Sequence, residues 1–271
     1  MPELPEVETT RRGIAPHLEG AGIKRLLVRE RRLRWPVPTG LEGRLRGAQI
    51  LAVDRRAKYL LLRTDRGSAL LHLGMTGSLR LVYPGTAPKT HDHYDIVLDN
   101  GLILRFTDPR RFGSLLWAGN DPSRHSLLRD LGPEPLGPDF HGRYLQQISR
   151  GRRVAIKPHL MNGRIVVGVG NIYASEALFR AGIHPKRAAG RIALTRLDRL
   201  VTCVRDVLEA SIRAGGTTLR DFVGSDGEPG YFTQDLRVYD RAGLPCLQCG
   251  DAIRHSVLGQ RSTYYCQHCQ R

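Results

Sequence analysis

Four cysteines near the C-terminal end constrain the fold more than any other feature of this sequence. Cys246 and Cys249 are separated by two residues, sixteen residues follow, and Cys266 and Cys269 repeat the two-residue spacing. Two such pairs can hold one tetrahedral Zn²⁺, and the segment between them is long enough for a β-hairpin. Because four thiolates leave no position for water, the pattern predicts one structural zinc. The metal would replace a hydrophobic core that about thirty residues cannot build.

Other residues near this motif, and the fifth cysteine, have simpler interpretations. His255 and His268 are alternative zinc ligands, but the regular double spacing favours the four cysteines. Cys203 lies apart, in a run of helical periodicity, and we expect it to be a small, buried, apolar side chain.

The charge of the chain indicates a polyanionic partner. Its 271 residues include 42 Lys and Arg against 26 Asp and Glu, a formal net charge of +16. Neutralising phosphates releases counterions, so this excess favours nucleic acid. Two other interpretations of this charge stay open: an RNA-associated protein, and an enzyme whose surface is merely basic. No apolar run reaches the roughly 18 residues that span a bilayer, and the acidic start is unlike a secretory signal, so we expect a cytoplasmic protein.

The first half of the chain has the pattern of short strands. Apolar runs alternate with turn residues from about residue 23 to 117, and the sequence Asp99-Asn100-Gly101 between two runs is a strong hairpin signal. This spacing predicts an antiparallel sandwich or barrel. Ahead of it, Pro5 and its acidic neighbours predict a helix that runs to about Leu18.

The second half is predicted to be helical. Residues 121–139 contain four prolines and are interpreted as a linker. Helical patterns follow at residues 142–149, 171–181 and 194–214. A loop rich in Gly, Thr and Asp then precedes the cysteine segment.

The N-terminus offers an amine nucleophile. Methionine before a small residue is usually removed, which would leave Pro2 as a secondary amine. An α-amino group has a pKa of about 8, below that of lysine, and a helix N-terminus disfavours its cation. Such an amine can attack an aldehyde-like carbon and form an iminium, with Glu3 and Glu6 as acid or base. From the residues alone, the interpretation that Pro2 merely begins the chain and has no catalytic role stays open.

Five motifs occur in a distinctive order. They are MPELPEVE at the start, HLGMTGSLR (72–80), DPRRFG (108–113), VVGVGNIYASEALF (166–179) and the four-cysteine segment. Together they closely resemble the bacterial formamidopyrimidine-DNA glycosylases, over essentially the whole chain. The resemblance implies a bifunctional glycosylase and abasic-site lyase of base excision repair, which excises 8-oxoguanine and formamidopyrimidines and then performs β,δ-elimination.

The resemblance also implies catalytic roles. Pro2 would attack C1′ of the deoxyribose and form a Schiff base, and Glu3 would protonate the sugar ring oxygen. Lys58 resembles the family's catalytic or phosphate-binding lysine, Arg261 is a further catalytic position, and Glu6 is a supportive acidic residue. Without the resemblance, Lys58 would be a lysine flanking a strand.

Further residues resemble positions that bind DNA. Three residues match the family trio that fills the gap left by an everted nucleotide: Met75, Arg110 and Phe112. The two apolar side chains suit the role of wedges in this gap, and the arginine can donate hydrogen bonds to the orphaned cytosine. Without the resemblance, Met75 and Phe112 would be ordinary core residues. Three residues resemble positions at which the family binds phosphate: Asn171, Arg261 and, more weakly, His72. The loop 217–231 lies where the family grips the damaged base.

The expected architecture is α+β with two domains. An N-terminal antiparallel β-sandwich with a flanking helix would precede a helical domain carrying a helix–two-turn–helix and the zinc hairpin. We place the boundaries at 1–133, 134–240 and 241–271. The resemblance implies one zinc ion, a monomer, and double-stranded DNA with oxidised purines or abasic sites as the partner.

Two rival functions stay open at this point. The sister branch, the endonuclease VIII-like glycosylases, prefers oxidised pyrimidines, typically begins PEGPE and lacks the Met, Arg and Phe trio. A damage-recognising DNA-binding protein without catalysis is the second rival. Borohydride trapping separates enzyme from binder, because only a Schiff base is reduced to a stable crosslink.

Overall fold

The computed structural model describes residues 2–215 and 236–271. These residues form two compact units, one of residues 2–129 with 214–215 and the other of residues 130–213 with 236–271. The boundary at residue 130 lies inside the proline-containing stretch interpreted as a linker. Among the described residues, no helix has the length and apolar character needed to cross a membrane.

The first unit contains two four-stranded antiparallel sheets. The elements are α1 (Leu4–Leu18), β1 (Ile23–Val28), α2 (Leu41–Leu45), β2 (Ile50–Arg56), β3 (Tyr59–Thr64), β4 (Gly67–His72), β5 (Ser78–Val82), β6 (Asp92–Leu98), β7 (Ile103–Thr107) and β8 (Ser114–Gly119). Strand order is β1-β6-β7-β5 in one sheet and β2-β3-β4-β8 in the other. The predicted antiparallel sandwich is confirmed.

Helix α1 flanks the sandwich as predicted. Pro5 lies in its first turn, where the missing N–H has no cost. Val7, Ile14 and Leu18 on one face are almost fully buried in the core of the unit, and α1 packs against β2 and β3. The helix therefore fixes the N-terminal residues on the sheet that carries β2 and β3.

The predicted hairpin joins β6 and β7. Gly101 in the turn has a φ of +84°, a conformation that favours glycine. The side chain of Asn100 accepts a hydrogen bond from the backbone N–H of Leu102 at 3.1 Å. The turn chemistry thus sets the antiparallel register of the two strands.

The second unit is mostly helical. The elements are α3 (Gly142–Ser149), α4 (Ile156–Leu160), α5 (Asn171–Arg180), α6 (Leu194–Ala214), β9 (Arg254–Leu258) and β10 (Arg261–Tyr265). Helix α6 buries Leu197, Val201, Val204 and Leu208 at intervals of three and four residues. Two short helices, α2 in the first unit and α4 in the second, were not predicted, because five residues carry too little periodicity.

Candidate functional site

The N-terminal residues are held by a reciprocal capping box. Glu3 is the N-cap of α1, and its backbone N–H donates to Glu6 Oε2 at 2.7 Å, while the Glu3 side chain accepts from the backbone N–H of Glu6. Such a box satisfies two backbone donors that the helix leaves open. Glu3 is only 3% exposed, and Pro2 precedes it directly. Glu6, expected only to be supportive, thus holds the backbone of Glu3.

Lys58 lies in a two-residue turn between β2 and β3. Arg56 pairs with Tyr59 across the turn, which leaves Ala57 and Lys58 as its central residues. Ala57 has a φ of +56°, a conformation that is unfavourable for a residue with a Cβ. Because α1 packs against both strands, the turn with Lys58 belongs to the same packed layer as the helix that begins beside Pro2.

Two loops of the first unit carry Met75, Arg110 and Phe112. The loops, 72–77 and 108–113, are in close backbone contact, since a Cβ added at Gly74 would lie 2.5 Å from Phe112 C and Gly113 N. The guanidinium of Arg110 lies over the Phe112 ring, 4.7 Å from its centroid. Phe112 is 40% exposed, an unusual environment for a phenylalanine ring. The structure therefore brings together the two loops that carry the trio.

Asp108 organises this loop pair and was missed by the sequence analysis. It is fully buried, and its carboxylate accepts hydrogen bonds from Thr76 Oγ1 at 2.6 Å, from the Gly113 N–H at 2.8 Å and from the Arg110 N–H at 3.2 Å. A buried carboxylate needs such partners. Asp108 therefore fixes the backbone on both sides of Arg110 and Phe112. An aspartate before a proline is typical of any turn, so no specific signal in the sequence marks this role.

His72 lies at the end of β4, beside these loops. Burial lowers the pKa of His72 to about 4, with the positive charges of Arg34 and Lys58 acting in the same direction. Its Nδ1 accepts a hydrogen bond from the Gly74 N–H at 3.0 Å, which places the ring proton on Nε2. At neutral pH His72 can therefore offer a phosphate a neutral N–H donor, and not a cation.

Asn171 begins helix α5 in the second unit. Gly168, with a φ of +76°, and Gly170, the N-cap, precede it. Asn171 Oδ1 is buried and has no hydrogen-bond partner among the residues that the structure describes. The backbone N–H groups of a first helical turn suit an anion, so the position is compatible with phosphate binding.

Arg261 lies at the tip of the predicted zinc hairpin. Leu258 pairs with Arg261, and Gly259 and Gln260 between them both have positive φ, which is the geometry of a type I′ turn. Arg261 is exposed. The turn presents its guanidinium to solvent at the start of β10.

Lys157 is a second residue that the sequence analysis missed. It is 1% exposed in α4, and its Nζ donates to Ser262 O at 2.7 Å and to Thr263 Oγ1 at 2.8 Å. These two hydrogen bonds hold β10 to α4 at the residues that directly follow Arg261. Lys157 stands in the sequence AIKPHL, whose proline hides the short helix.

The four cysteines form the predicted metal centre. Their sulfur atoms all lie within 4.8 Å of one another, with Cys246 Sγ 4.0 Å from Cys269 Sγ and Cys249 Sγ 3.4 Å from Cys266 Sγ. Sulfurs bound at about 2.3 Å to one tetrahedral Zn²⁺ lie about 3.8 Å apart, whereas a disulfide is about 2.05 Å long. The donor set therefore fits one structural zinc, and the predicted cofactor is confirmed.

Two further predictions concern residues away from these groups. Cys203 is buried in α6, and burial raises the pKa of its thiol, as expected for an inert apolar side chain. The loop 217–231 lies outside the described residues.

Comparison with known proteins identifies the family. Three family models match in chain order: the formamidopyrimidine-DNA glycosylase N-terminal domain at residues 1–115, its H2TH domain at 131–223, and the zinc finger found in FPG and IleRS at 243–271. A formamidopyrimidine-DNA glycosylase of Pseudomonas putida (strain W619) is 59% identical over 271 residues and covers 100% of both chains. The chain belongs to the formamidopyrimidine-DNA glycosylase family.

Relatives and solved structures of this family match the chain over almost its whole length. The formamidopyrimidine-DNA glycosylase of Methylococcus capsulatus is also 59% identical, with 100% of each chain covered. The MutM (Fpg) protein of Thermus thermophilus matches with a TM-score of 0.85 and 37% identity, over 99% of this chain and 98% of that one. The Lactococcus lactis Fpg in complex with N7-benzyl-Fapy-dG DNA matches with a TM-score of 0.89 and 31% identity, over 100% of both. The chain is a DNA-repair glycosylase with a zinc finger, which confirms the family assignment made from the five motifs.

Proposed function

We propose that this glycosylase excises oxidised purines, 8-oxoguanine and formamidopyrimidines, from double-stranded DNA through a Schiff base on Pro2, and that it then cleaves the abasic strand by β,δ-elimination. The observation that carries the proposal is the N-terminal capping box. It holds a carboxyl group, Glu3, buried and directly beside the residue that becomes a secondary amine when Met1 is removed.

The first chemical step uses Pro2 and Glu3. The nitrogen lone pair of Pro2 attacks C1′ as the N-glycosidic bond breaks, and the proton that the amine loses goes to the departing base. Glu3 donates its proton to O4′ as the C1′–O4′ bond breaks and the sugar ring opens. The product is an iminium between Pro2 and C1′, with O4′ as a hydroxyl.

The second stage breaks the DNA backbone. The iminium makes the C2′ protons acidic, so loss of one of them expels the 3′ phosphate in β-elimination, and a further elimination expels the 5′ phosphate. We assign Lys58 and Arg261 to these phosphates, because a nearby cation offsets the charge that develops on a phosphate leaving group. A one-nucleotide gap results.

We assign eversion of the lesion to the two loops at residues 72–77 and 108–113. A base inside the stack cannot be reached by Pro2, so the nucleotide has to leave the duplex. Phe112 and Met75 supply apolar wedges for the void, and Arg110 supplies donors for the orphaned cytosine. The exposure of Phe112 and the buried Asp108 that orients its loop support this assignment.

The DNA partner is supported by charge and by relatives. The net charge of +16 suits a polyanion. The Lactococcus lactis Fpg was crystallised with abasic-site DNA and with Fapy-dG DNA. On the chain itself, the neutral N–H donor of His72 and the exposed Arg261 are groups that suit phosphate oxygens.

The experiment compares two lesions and one substitution. Duplexes with 8-oxoguanine and with thymine glycol separate a purine from a pyrimidine enzyme, and we expect excision of 8-oxoguanine to dominate. Glu3→Gln should lower base excision by about 10²–10⁴, while cleavage of a ready-made abasic site falls far less because its base is already gone. Binding without excision of either lesion would refute the proposal in favour of a non-catalytic binder.

A further inference from the structure

One guanidinium joins helix α1 to the turn that carries Lys58. Arg55, near the end of β2, donates from Nε to Glu8 Oε2 at 3.0 Å, and its second donor reaches the carbonyl oxygen of Ala57 at 2.9 Å. The Arg55 side chain is 11% exposed and that of Glu8 10%. The contact is therefore a buried, charged bridge between two elements that each carry a proposed catalytic group.

The turn at the end of this bridge has an unfavourable backbone conformation. Ala57 has a positive φ of +56° although it carries a Cβ, and it is 5% exposed. Such a conformation persists only where the surrounding contacts enforce it, and it often occurs at functional sites. The bond from Arg55 to the Ala57 carbonyl is one of these contacts, and Lys58 is the next residue.

The other end of the bridge is a permanent carboxylate. Burial alone would raise the pKa of Glu8, but hydrogen bonds from Arg11, Arg12 and Arg55 outweigh it and lower the pKa to about 2. Glu8 lies in α1, five residues after Glu3 and on the helix that Glu3 caps. Its charge is therefore constant over the whole working range of pH.

We propose that Glu8 and Arg55 are positioning residues for the lyase reaction, which set the turn carrying Lys58 in register with the helix that begins beside Pro2. This inference rests on the proposed function of Lys58. Neither residue needs to touch DNA. A guanidinium suits this role because its fork reaches two acceptors at a fixed angle, which an ammonium cannot reproduce.

The simpler interpretation is that the pair only stabilises the fold. The two roles differ in whether loss of Arg55 matters once Lys58 is gone. A positioning residue acts through Lys58, so its removal adds nothing to the loss caused by Lys58→Ala. A structural residue lowers activity to the same extent with or without Lys58.

The test is a double-mutant cycle in the full-length enzyme. Single-turnover cleavage of a ready-made abasic duplex is measured for wild type, Arg55→Met, Lys58→Ala and the double variant. Arg12→Met is the matched control, because Arg12 donates to the same Glu8 carboxylate at 2.8 Å from within α1. Arg55→Lys joins the series as a second variant in case the methionine variant does not fold. Each variant is assayed well below its own melting temperature.

We expect Arg55→Met to lower the single-turnover cleavage rate about tenfold or more, with the enzyme concentration that gives half of the maximal rate nearly unchanged, and Arg55→Lys to recover part of the loss. In the Lys58→Ala background the same substitution should change the rate less than about twofold. Arg12→Met should resemble wild type. Equal losses in both backgrounds, or a loss with Arg12→Met as large as with Arg55→Met, would overturn the inference.

Failure of the proposed function gives a different result. If Lys58→Ala cleaves at the wild-type rate, Arg55 has no Lys58 to act through and the inference fails. Borohydride trapping of the same wild-type sample then shows whether the Schiff base on Pro2 still stands.

Discussion

The ammonium group of Lys157 donates a hydrogen bond to Thr263 Oγ1 at 2.8 Å, and both residues are almost fully buried. The bond joins α4 to the second strand of the zinc hairpin, two residues from Arg261. A second bond from the same group ends on the carbonyl oxygen of Ser262 at 2.7 Å. The start of β10, next to Arg261, is thus held to α4 by two hydrogen bonds from one buried side chain.

Lys157→Met should loosen the hairpin. The substitution leaves the Ser262 carbonyl and the Thr263 hydroxyl without this donor, which costs about 1–3 kcal/mol for a buried group. Urea unfolding measures the free energy, and amide exchange of residues 261–265 locates the effect. Lys186→Met, at an exposed lysine of the same unit, should stay within about 0.5 kcal/mol of wild type. Equal effects of the two substitutions would contradict the anchoring role.

Loss of zinc should abolish DNA binding and spare the sandwich. The hairpin rests on a small apolar cluster, with Phe179, Val238 and Ile253 beside two of the cysteines, so it depends on the metal. Cys249→Ser should bind a lesion duplex at least about tenfold more weakly, with most of the circular dichroism signal retained. Cys203→Ala is the control, since it removes a thiol outside the zinc site. Wild-type affinity in Cys249→Ser would show that the hairpin does not contribute to binding.

The capping box predicts that two substitutions of Glu6 differ. Glutamine at this position still accepts the bond from the Glu3 N–H, whereas alanine cannot. Glu6→Gln should therefore keep both stability and base excision near wild type, and Glu6→Ala should lose about 0.5–2 kcal/mol of stability together with excision rate. Thermal unfolding and 8-oxoguanine excision are the two readouts. A Glu6→Gln variant as impaired as Glu6→Ala would mean that the charge of Glu6, and not its cap, matters.

His72 should make the protein less stable in acid. Its folded pKa is about 4, below the usual 6.5, so the unfolded chain takes up the proton first as the pH falls. The free energy of unfolding that the neutral His72 contributes is fully present above pH 6.5 and is lost as the pH falls from 6.5 towards 4, a change of roughly 2–3 kcal/mol. Urea unfolding at pH 7 and pH 5 should show a smaller acid loss in His72→Gln than in wild type. His91→Gln, at an exposed histidine, should keep the wild-type difference, and the same loss in all three proteins would exclude His72 as the cause.

The sequence predicted elements whose cause is local. Strand alternation, the turn at Asn100-Gly101, the helix that starts near Pro5 and the cysteine spacing each depend on a few neighbouring residues, and each agrees with the structure. The link from Asp108 to the loop that carries Met75, and the role of Lys157, could not be predicted, because Thr76 is 32 residues from Asp108 and Thr263 is 106 residues from Lys157 along the chain. The bridge from Arg55 to Glu8 spans 47 residues. In the sequence each is an ordinary charged residue, and only tertiary contact gives it a role.

The site of the borohydride crosslink decides whether Pro2 is the nucleophile. Lys58 is the rival amine, since it also lies in the first unit, in a strained turn. The enzyme is incubated with an 8-oxoguanine duplex and borohydride, digested, and the crosslinked peptide is mapped by mass spectrometry. We expect the deoxyribose remnant on the N-terminal peptide at Pro2, with Lys58 unmodified. A crosslink on Lys58 with residue 2 unmodified would contradict it.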